Sequence, residues 1–89
     1  MALTKISKIE WATPADQLGN QAFDDERITK IQEMAEADKT DGHPIIISDV
    51  ITERYWLDQS AAQEYIDFVA LKVAQYNLNV VSMQIIDAP

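Results

Sequence analysis

The chain has 89 residues, of which 47 % are hydrophobic, and its 15 Asp and Glu against 7 Lys and Arg give a net charge of −8. A chain this short folds as a single domain, residues 1–89, whose thin core excludes a large internal cavity and favours a homodimer. With no cysteine, disulfides, thiolate metal sites and thiol catalysis are excluded.

The excess of Asp and Glu over Lys and Arg indicates which partners to expect, and the length of the apolar runs indicates the location. Phosphate binding needs clustered Lys and Arg, so we expect no direct nucleic-acid binding. An acidic surface suits a basic protein partner, or simply keeps the protein in solution. No apolar run approaches the roughly 20 residues that span a bilayer, so we expect no signal peptide, no membrane segment and a cytoplasmic location.

The N-terminal third gives a weak pattern. Residues 3–12 alternate imperfectly between apolar and polar types and are interpreted as a strand. Thr13-Pro14-Ala15-Asp16 resembles a helix start, with proline at the first helical position. Gly19 and Asn20 then interrupt the pattern, so we expect only one helical turn or a loop.

A clearer helix begins at Asp24. Asp24, Asp25 and Glu26 place negative charge where the free N–H groups of a first turn favour it. Apolar residues then recur at helical spacing, namely Ile28, Ile31, Met34 and Ala35. The helix is expected to run to about Ala37, followed by a turn over residues 39–44 that contains Asp41-Gly42 and Pro44.

Two apolar segments follow and predict strands. Residues 45–47 are three isoleucines, and residues 50–57 are rich in β-branched and aromatic types. Ser48-Asp49 is either a bend within one strand or a turn between two. In the second segment the even-numbered residues 50–56 share one face and the odd-numbered residues 51–57 share the other, and both faces mix polar and apolar types. We expect one of the two faces to be covered and the other to be partly exposed or paired with another subunit.

The last third predicts a helix and a strand. Asp58 is a good N-cap, with Ser60 and Gln63 as a competing capping box. The helix is recognised by an apolar stripe and is expected to end at residues 77–79. The stripe consists of Ala62, Tyr65, Ile66, Val69, Val73 and Tyr76. Residues 80–86 form a strand with Val81, Met83 and Ile85 on one face. Right-handed crossover makes this strand parallel to residues 50–57, with or without another strand between them.

The element order predicts an α+β domain. We expect a β-sheet of three to four strands with two helices packed on one face, in a ferredoxin-like or related β-α-β arrangement. Such folds serve many functions, so the fold by itself predicts no activity.

Residues that carry chemistry are few. His43, the sole histidine, lies among turn residues where Asp and Gly are common, and nothing brings Asp38, Asp41 and Asp49 to it. The acidic run at residues 24–26 lacks the alternating oxygen ligands and central glycine of a calcium loop. We therefore predict no catalytic residue, no metal ligand and no cofactor, and we favour a non-enzymatic role.

Arg54-Tyr55-Trp56 is the sharpest local feature. Arg, Tyr and Trp are the residues most enriched at binding hot spots, so Arg54, Tyr55 and Trp56 are candidate partner contacts. The alternative is that Trp56 packs under the helix while Arg54 neutralises a nearby carboxylate such as Glu64 or Asp67. The acidic residues Asp24, Asp25 and Glu26 are the second candidate contact surface.

The segment from Thr52 to Phe68, TERYWLDQSAAQEYIDF, resembles a pattern in small accessory proteins of large tailed bacteriophages. The shared features are a strand ending in Arg-x-aromatic, a capped helix start, and an alanine with two aromatics on one helix face; the likeness covers residues 45–86. It implies a small α+β protein that binds a host or phage protein, in an infected bacterial cytoplasm or a virion, with no catalytic residues to carry over.

Three functions stay open at this point. The first is a non-enzymatic acidic interaction module, a phage-encoded modulator of a host or phage protein. The second is a small dimeric α+β ligand-binding domain or enzyme whose pocket contains His43. The third is a structural component of the virion.

Overall fold

The computed structural model of the protein describes residues 3–34 and 42–89, and the side chains of residues 30–34 lie outside that description. Its six elements are β1 Lys5–Trp11, α1 Pro14–Met34, β2 Pro44–Ile47, β3 Ile51–Trp56, α2 Gln59–Tyr76 and β4 Val80–Asp87. The strands form one antiparallel sheet in the order β2-β3-β1-β4. This is the split β-α-β arrangement of ferredoxin-like domains, which confirms the predicted fold class.

The strand β1 occupies the interior of the sheet. It pairs with β3 on one side, where Ile6 is opposite Tyr55, and with β4 on the other, where Ile6 is opposite Ile86. Since β3 and β4 are both antiparallel to β1, they are parallel to each other with β1 between them. The predicted parallel return after the second helix is therefore confirmed, in the form that includes an intervening strand.

Alternation along the strands separates a covered face from an open face. Ser7, Ile9 and Trp11 of β1 are buried on the face toward the helices, as are Thr52, Arg54 and Trp56 of β3. The buried apolar core consists of Ile9, Trp11, Ile28, Trp56, Ala62, Tyr65 and Val69. The prediction that one face of the 50–57 segment is covered is confirmed.

The first helix is much longer than the sequence indicates. The expectation of one turn or a loop after Pro14, and of a separate helix starting at Asp24, is wrong, because α1 runs unbroken from Pro14 to Met34. Gly19 lies within the helix, at a point where the helix backbone closely approaches Leu78. A Cβ added at Gly19 would lie 2.8 Å from Leu78 Cδ2. Asp24, Asp25 and Glu26 are thus mid-helix and not first-turn residues. The predicted helix end near Ala37, and residues 39–41 of the predicted turn, lie outside the described residues.

The buried stripe of α1 explains this difference. Within residues 14–29, where the side chains of α1 are described, the buried residues are Asp16, Gln17, Asn20, Asp24 and Ile28, so four of five are polar. In contrast Leu18 is 63 % exposed. A search for apolar residues at helical spacing finds no helix here because the side that packs inward is polar.

The second helix agrees with its prediction at both ends. The carboxylate of Asp58 accepts the Ala61 N–H at 2.9 Å, so Asp58 and not Ser60 is the N-cap. Asn77 ends the helix in the left-handed conformation, with φ 54°. Among the described residues, no helix is long and apolar enough to cross a membrane.

Two local features complete the sheet. Ser48 and Asp49 form a turn between two strands, because the Ser48 N–H donates to Ile51 O at 2.9 Å and closes the β2-β3 hairpin. Met83 and Ile85 pack against the core as predicted, but Val81 does not and is 61 % exposed. The physical reason is a register shift at Glu10/Trp11, which interrupts the alternation at the start of β4.

Candidate functional site

Arg54 is buried and donates hydrogen bonds both to α1 and to the residue two positions before β2. Its Nε and Nη2 both donate to Asp24 Oδ2, at 3.2 and 2.8 Å, and its Nη1 donates to the Gly42 carbonyl at 2.8 Å. The Asp25 carboxylate lies further away, at 3.8 Å from Nη2. Arg54 therefore pairs with Asp24, and not with Glu64 or Asp67 as the packing alternative proposed.

The surroundings of Asp24 act on its protonation in two opposite ways. Burial raises the pKa of Asp24 above its ordinary value, and the Arg54 guanidinium partly offsets that rise. The pKa of the Tyr65 hydroxyl is also raised, first by burial and then by the nearby Asp24 carboxylate. Asp24 Oδ1, the Tyr65 hydroxyl and both amide atoms of Asn20 have no hydrogen-bond partner of standard geometry among the described groups. These residues form a polar layer between α1 and the sheet.

Both tryptophans belong to the same interior. Trp56 donates its indole N–H to Ser7 Oγ at 2.8 Å, and Trp11 donates to Thr52 Oγ1 at 3.2 Å. The Trp56 ring also contacts the Tyr65 ring, with 4.9 Å between centroids. Buried indole N–H groups need such acceptors, so the hydroxyls at positions 7 and 52 have a structural role.

The six predicted contact residues therefore divide into two sets. Asp24, Arg54 and Trp56 are buried, whereas Tyr55 is partly exposed on the open face and Asp25 and Glu26 are exposed on α1. The structure brings Asp24 and Arg54 together, and Asp25 lies at the edge of their contact. Tyr55 points to the opposite side of the sheet from Arg54, since adjacent strand residues alternate.

The strand β2 forms one edge of the sheet and is exposed along its length. Ile45, Ile46 and Ile47 are 38, 43 and 39 % exposed. Among the described strands it pairs only with β3. An apolar edge strand of this kind, without Lys or an internal proline, offers unpaired N–H and C=O groups to another chain.

His43 occupies the turn before β2. Its backbone carbonyl accepts the Tyr55 N–H at 2.9 Å and its side chain is exposed. Across residues 3–29 and 42–89, no three His, Asp or Glu side chains come together in a geometry that could hold a metal ion. Two of the carboxylates considered beside His43, Asp38 and Asp41, lie outside the described residues.

An unpredicted groove lies between the helices. It has a volume of about 280 Å³ and is lined by Phe23, Glu26, Arg27, Phe68 and Lys72. His43 is not among its lining residues. Sequence signals for it do exist, since Phe23 and Arg27 are four residues apart on α1, and Phe68 and Lys72 are four apart on α2. The predicted start of the first helix at Asp24 leaves Phe23 outside it, so the sequence prediction does not place Phe23 and Arg27 on one helix face.

Aromatic rings and cationic side chains contact one another in and beside this groove. Phe23 meets Phe68 edge-to-face at 6.1 Å and stacks on Tyr76 at 5.5 Å. The Lys72 ammonium lies 5.7 Å from each of these three ring centroids. The Arg27 guanidinium lies 5.2 Å from the Phe68 centroid.

Comparison with known proteins adds no assignment. No protein family model, no curated protein and no solved structure is significantly similar to this chain. Arguments about function therefore depend on the residues and geometry described above.

Proposed function

We propose that this chain is a non-enzymatic, acidic interaction module that binds a basic protein through the free edge of β2. In this proposal an extended segment of the partner adds to the sheet as a fifth strand beside β2. Main-chain hydrogen bonds supply affinity in this mode of binding, and side chains on the two faces of the edge supply specificity.

The exposure of β2 is the observation that carries the proposal. Three consecutive isoleucines, Ile45–Ile47, lie at 38 to 43 % exposure on a strand that, within residues 3–34 and 42–89, has a pairing partner on one side only. Soluble proteins generally protect such edges with charge, proline or a covering element. Burial of this strip by a partner strand removes apolar surface from water and pairs the free backbone groups.

Charge indicates the chemistry of the partner. The net charge of −8 gives the domain a negative field, and two acidic residues adjoin β2: Asp49 in the following turn and Glu53, which is opposite Ile46 in the ladder. Lys or Arg residues flanking an apolar strand in the partner would complement these carboxylates. Electrostatic attraction of this type accelerates association and weakens with salt.

Three of the predicted contact residues are at least partly exposed outside the β2 edge. Tyr55 follows Glu53 on the open face, and Asp25 and Glu26 are exposed on α1. The buried residues Asp24, Arg54 and Trp56 contribute to the proposed function by holding β3 and α1 in place. The resemblance to phage accessory proteins supports a host or phage protein as partner and the infected bacterial cytoplasm as the location.

The experiment compares three forms of the tagged protein in bacterial lysate at low and high salt, with captured proteins identified by mass spectrometry. The forms are wild type, Ile46→Lys on the β2 edge, and the matched control Gln84→Lys on the β4 edge. We expect one protein to be captured at low salt by wild type and by Gln84→Lys, and to be lost with Ile46→Lys. Light scattering of each purified form measures self-association in parallel.

Two results would overturn the proposal. Capture that Ile46→Lys leaves unchanged would remove β2 from the interface. A dimer that Ile46→Lys dissociates would show that a second copy of the chain occupies the edge. A large closed assembly of the isolated protein would instead support the virion component.

A further inference from the structure

We propose that the groove formed by Phe23, Arg27, Phe68 and Lys72 binds a small aromatic monocarboxylate. This site is separate from the β2 edge, and its test is independent of any protein partner.

The two cationic side chains of the groove, Arg27 and Lys72, lack ion-pair partners among the described residues. In this acidic chain Lys5 pairs with Asp87, and Arg54 pairs with Asp24. By contrast, within residues 3–29 and 42–89 no carboxylate lies at ion-pairing distance from Arg27 or Lys72. The Arg27 Nε is in addition buried without a hydrogen-bond acceptor among those residues. Two positive charges thus converge on one groove while carboxylates are in excess elsewhere.

Two phenylalanine rings give the groove an apolar lining. Phe23 and Phe68 both line the groove and contact each other edge-to-face, with 6.1 Å between ring centroids and an interplanar angle of 77°, so they form one continuous apolar surface. A planar ligand can therefore stack on one ring and meet the other at its edge, the two arrangements that aromatic pairs prefer. The volume of about 280 Å³ suits a ligand of one or two rings.

The charges that line the groove favour a ligand with a single negative charge. A carboxylate accepts two parallel N–H bonds from a guanidinium, and Lys72 offers a point charge beside it. Glu26 also lines the groove; it is exposed and already engages another group of the chain. Its charge and the net charge of −8 oppose a dianion more than a monoanion. We therefore assign a monocarboxylate in preference to a phosphate monoester.

The test is an NMR titration of the full chain with three probes of similar size. These are 3-phenylpropionate, its neutral amide 3-phenylpropanamide, and the saturated analogue 3-cyclohexylpropionate. We expect 3-phenylpropionate to give saturable shifts at the amides of residues 23, 27, 68 and 72. We expect the other two probes to bind about tenfold more weakly or not at all. Phenyl phosphate is a fourth probe and is expected to bind more weakly than the carboxylate.

Charge variants of the protein give a second measurement. Lys72→Met and Arg27→Met are each expected to weaken 3-phenylpropionate binding about tenfold. Lys8→Met is the matched control, because it removes one positive charge on the open face of the sheet and is expected to leave binding unchanged. The amide comparison uses the wild-type chain, so it holds even if a variant fails to fold.

The proposal is wrong if 3-phenylpropionate gives no saturable shift at millimolar concentration, or if the amide binds as well as the acid. Tighter binding of phenyl phosphate would overturn the choice of a monocarboxylate. Equal binding by wild type and Lys72→Met would remove Lys72 from the site and with it the argument from converging cations.

Discussion

Asp24 and Arg54 form an ion pair inside the protein, with side chains that are 2 % and 3 % exposed. The pair joins the middle of α1 to the covered face of β3, at positions where packing alone would favour apolar residues. Its charges are removed from water, so each depends on the other and on the Gly42 carbonyl.

A double-mutant cycle tests this dependence. Asp24→Leu alone, or Arg54→Met alone, leaves one buried charge without its partner and is expected to lower the free energy of unfolding by about 3 kcal/mol or more. The double variant Asp24→Leu/Arg54→Met removes both charges and is expected to recover most of that loss. Urea unfolding at neutral pH measures all four proteins.

The exposed pair Lys5–Asp87 provides the control cycle. Because Asp87 is 83 % exposed, the corresponding substitutions Lys5→Met and Asp87→Leu are expected to show a coupling of about 1 kcal/mol or less. Losses that simply add in the Asp24/Arg54 cycle would contradict the interpretation that the buried charges depend on each other.

The hydrogen bond from Trp56 to Ser7 gives a second prediction. Ser7→Ala leaves the buried indole N–H without an acceptor and is expected to cost about 1 to 3 kcal/mol of stability. Ser82→Ala, on the open face of β4, is expected to change stability by about 0.5 kcal/mol or less. Thermal unfolding followed by tryptophan fluorescence compares the two variants. Equal effects would show that the Ser7 hydroxyl is dispensable.

Gly19 gives a third prediction, based on its close approach to Leu78. Alanine favours the helix by about 1 kcal/mol over glycine, but at this position its Cβ meets Leu78 Cδ2 at 2.8 Å. Gly19→Ala is therefore expected to give little or no gain in the wild-type background. In the Leu78→Ala background it is expected to stabilise by about 1 kcal/mol, because the contact is gone. The same effect in both backgrounds would contradict this coupling.

Asp16 gives a fourth prediction, for the dependence of stability on pH. Hydrogen bonds from the Thr13 hydroxyl and from the Asn79 N–H lower the pKa of the Asp16 carboxyl below its ordinary value of 3.8. Because the folded pKa is the lower one, the stabilisation is complete above 3.8 and is lost as the pH falls through the folded pKa. The stability difference between wild type and Asp16→Asn is expected to be largest at neutral pH and to shrink in acid.

An NMR titration of the Asp16 carboxyl carbon isolates the cause. In wild type its midpoint is expected below 3.8, and in Thr13→Ala it is expected to move upward. A stability difference that does not vary with pH would show that Asp16 acts through packing alone.

The two halves of the chain differ in how well their sequence predicts their structure. In the second half the buried residues Trp56, Tyr65 and Val69 recur at strand or helix spacing, and Asp58 and Asn77 mark the helix ends, so the elements themselves were predictable. In α1 the inward stripe contains Asn20 and Asp24, and Gly19 occupies a helical position because Leu78 packs against it. Neither fact can be derived without the tertiary contacts.

The candidate sites follow the same division. The strip Ile45–Ile47 was visible in the sequence as a strand, but its edge position depends on strand order. The groove needed two helices placed side by side, with Arg27 and Lys72 brought together from residues 45 apart in the chain. The burial of Arg54 and Trp56 depends on which face of β3 the helices cover.

The interior position of β1 has a consequence for the time course of folding. Its partners are distant in sequence: Lys5 contacts Asp87, 82 residues away, and Ser7 contacts Trp56, 49 residues away. Contacts across such separations require closure of large loops, so we expect slower folding than for a helical bundle of equal length. During synthesis β1 is made before both of its neighbours, since β3 and then β4 follow it in the chain. The nascent chain therefore holds β1 without these two neighbours while α1 and β2 are being made.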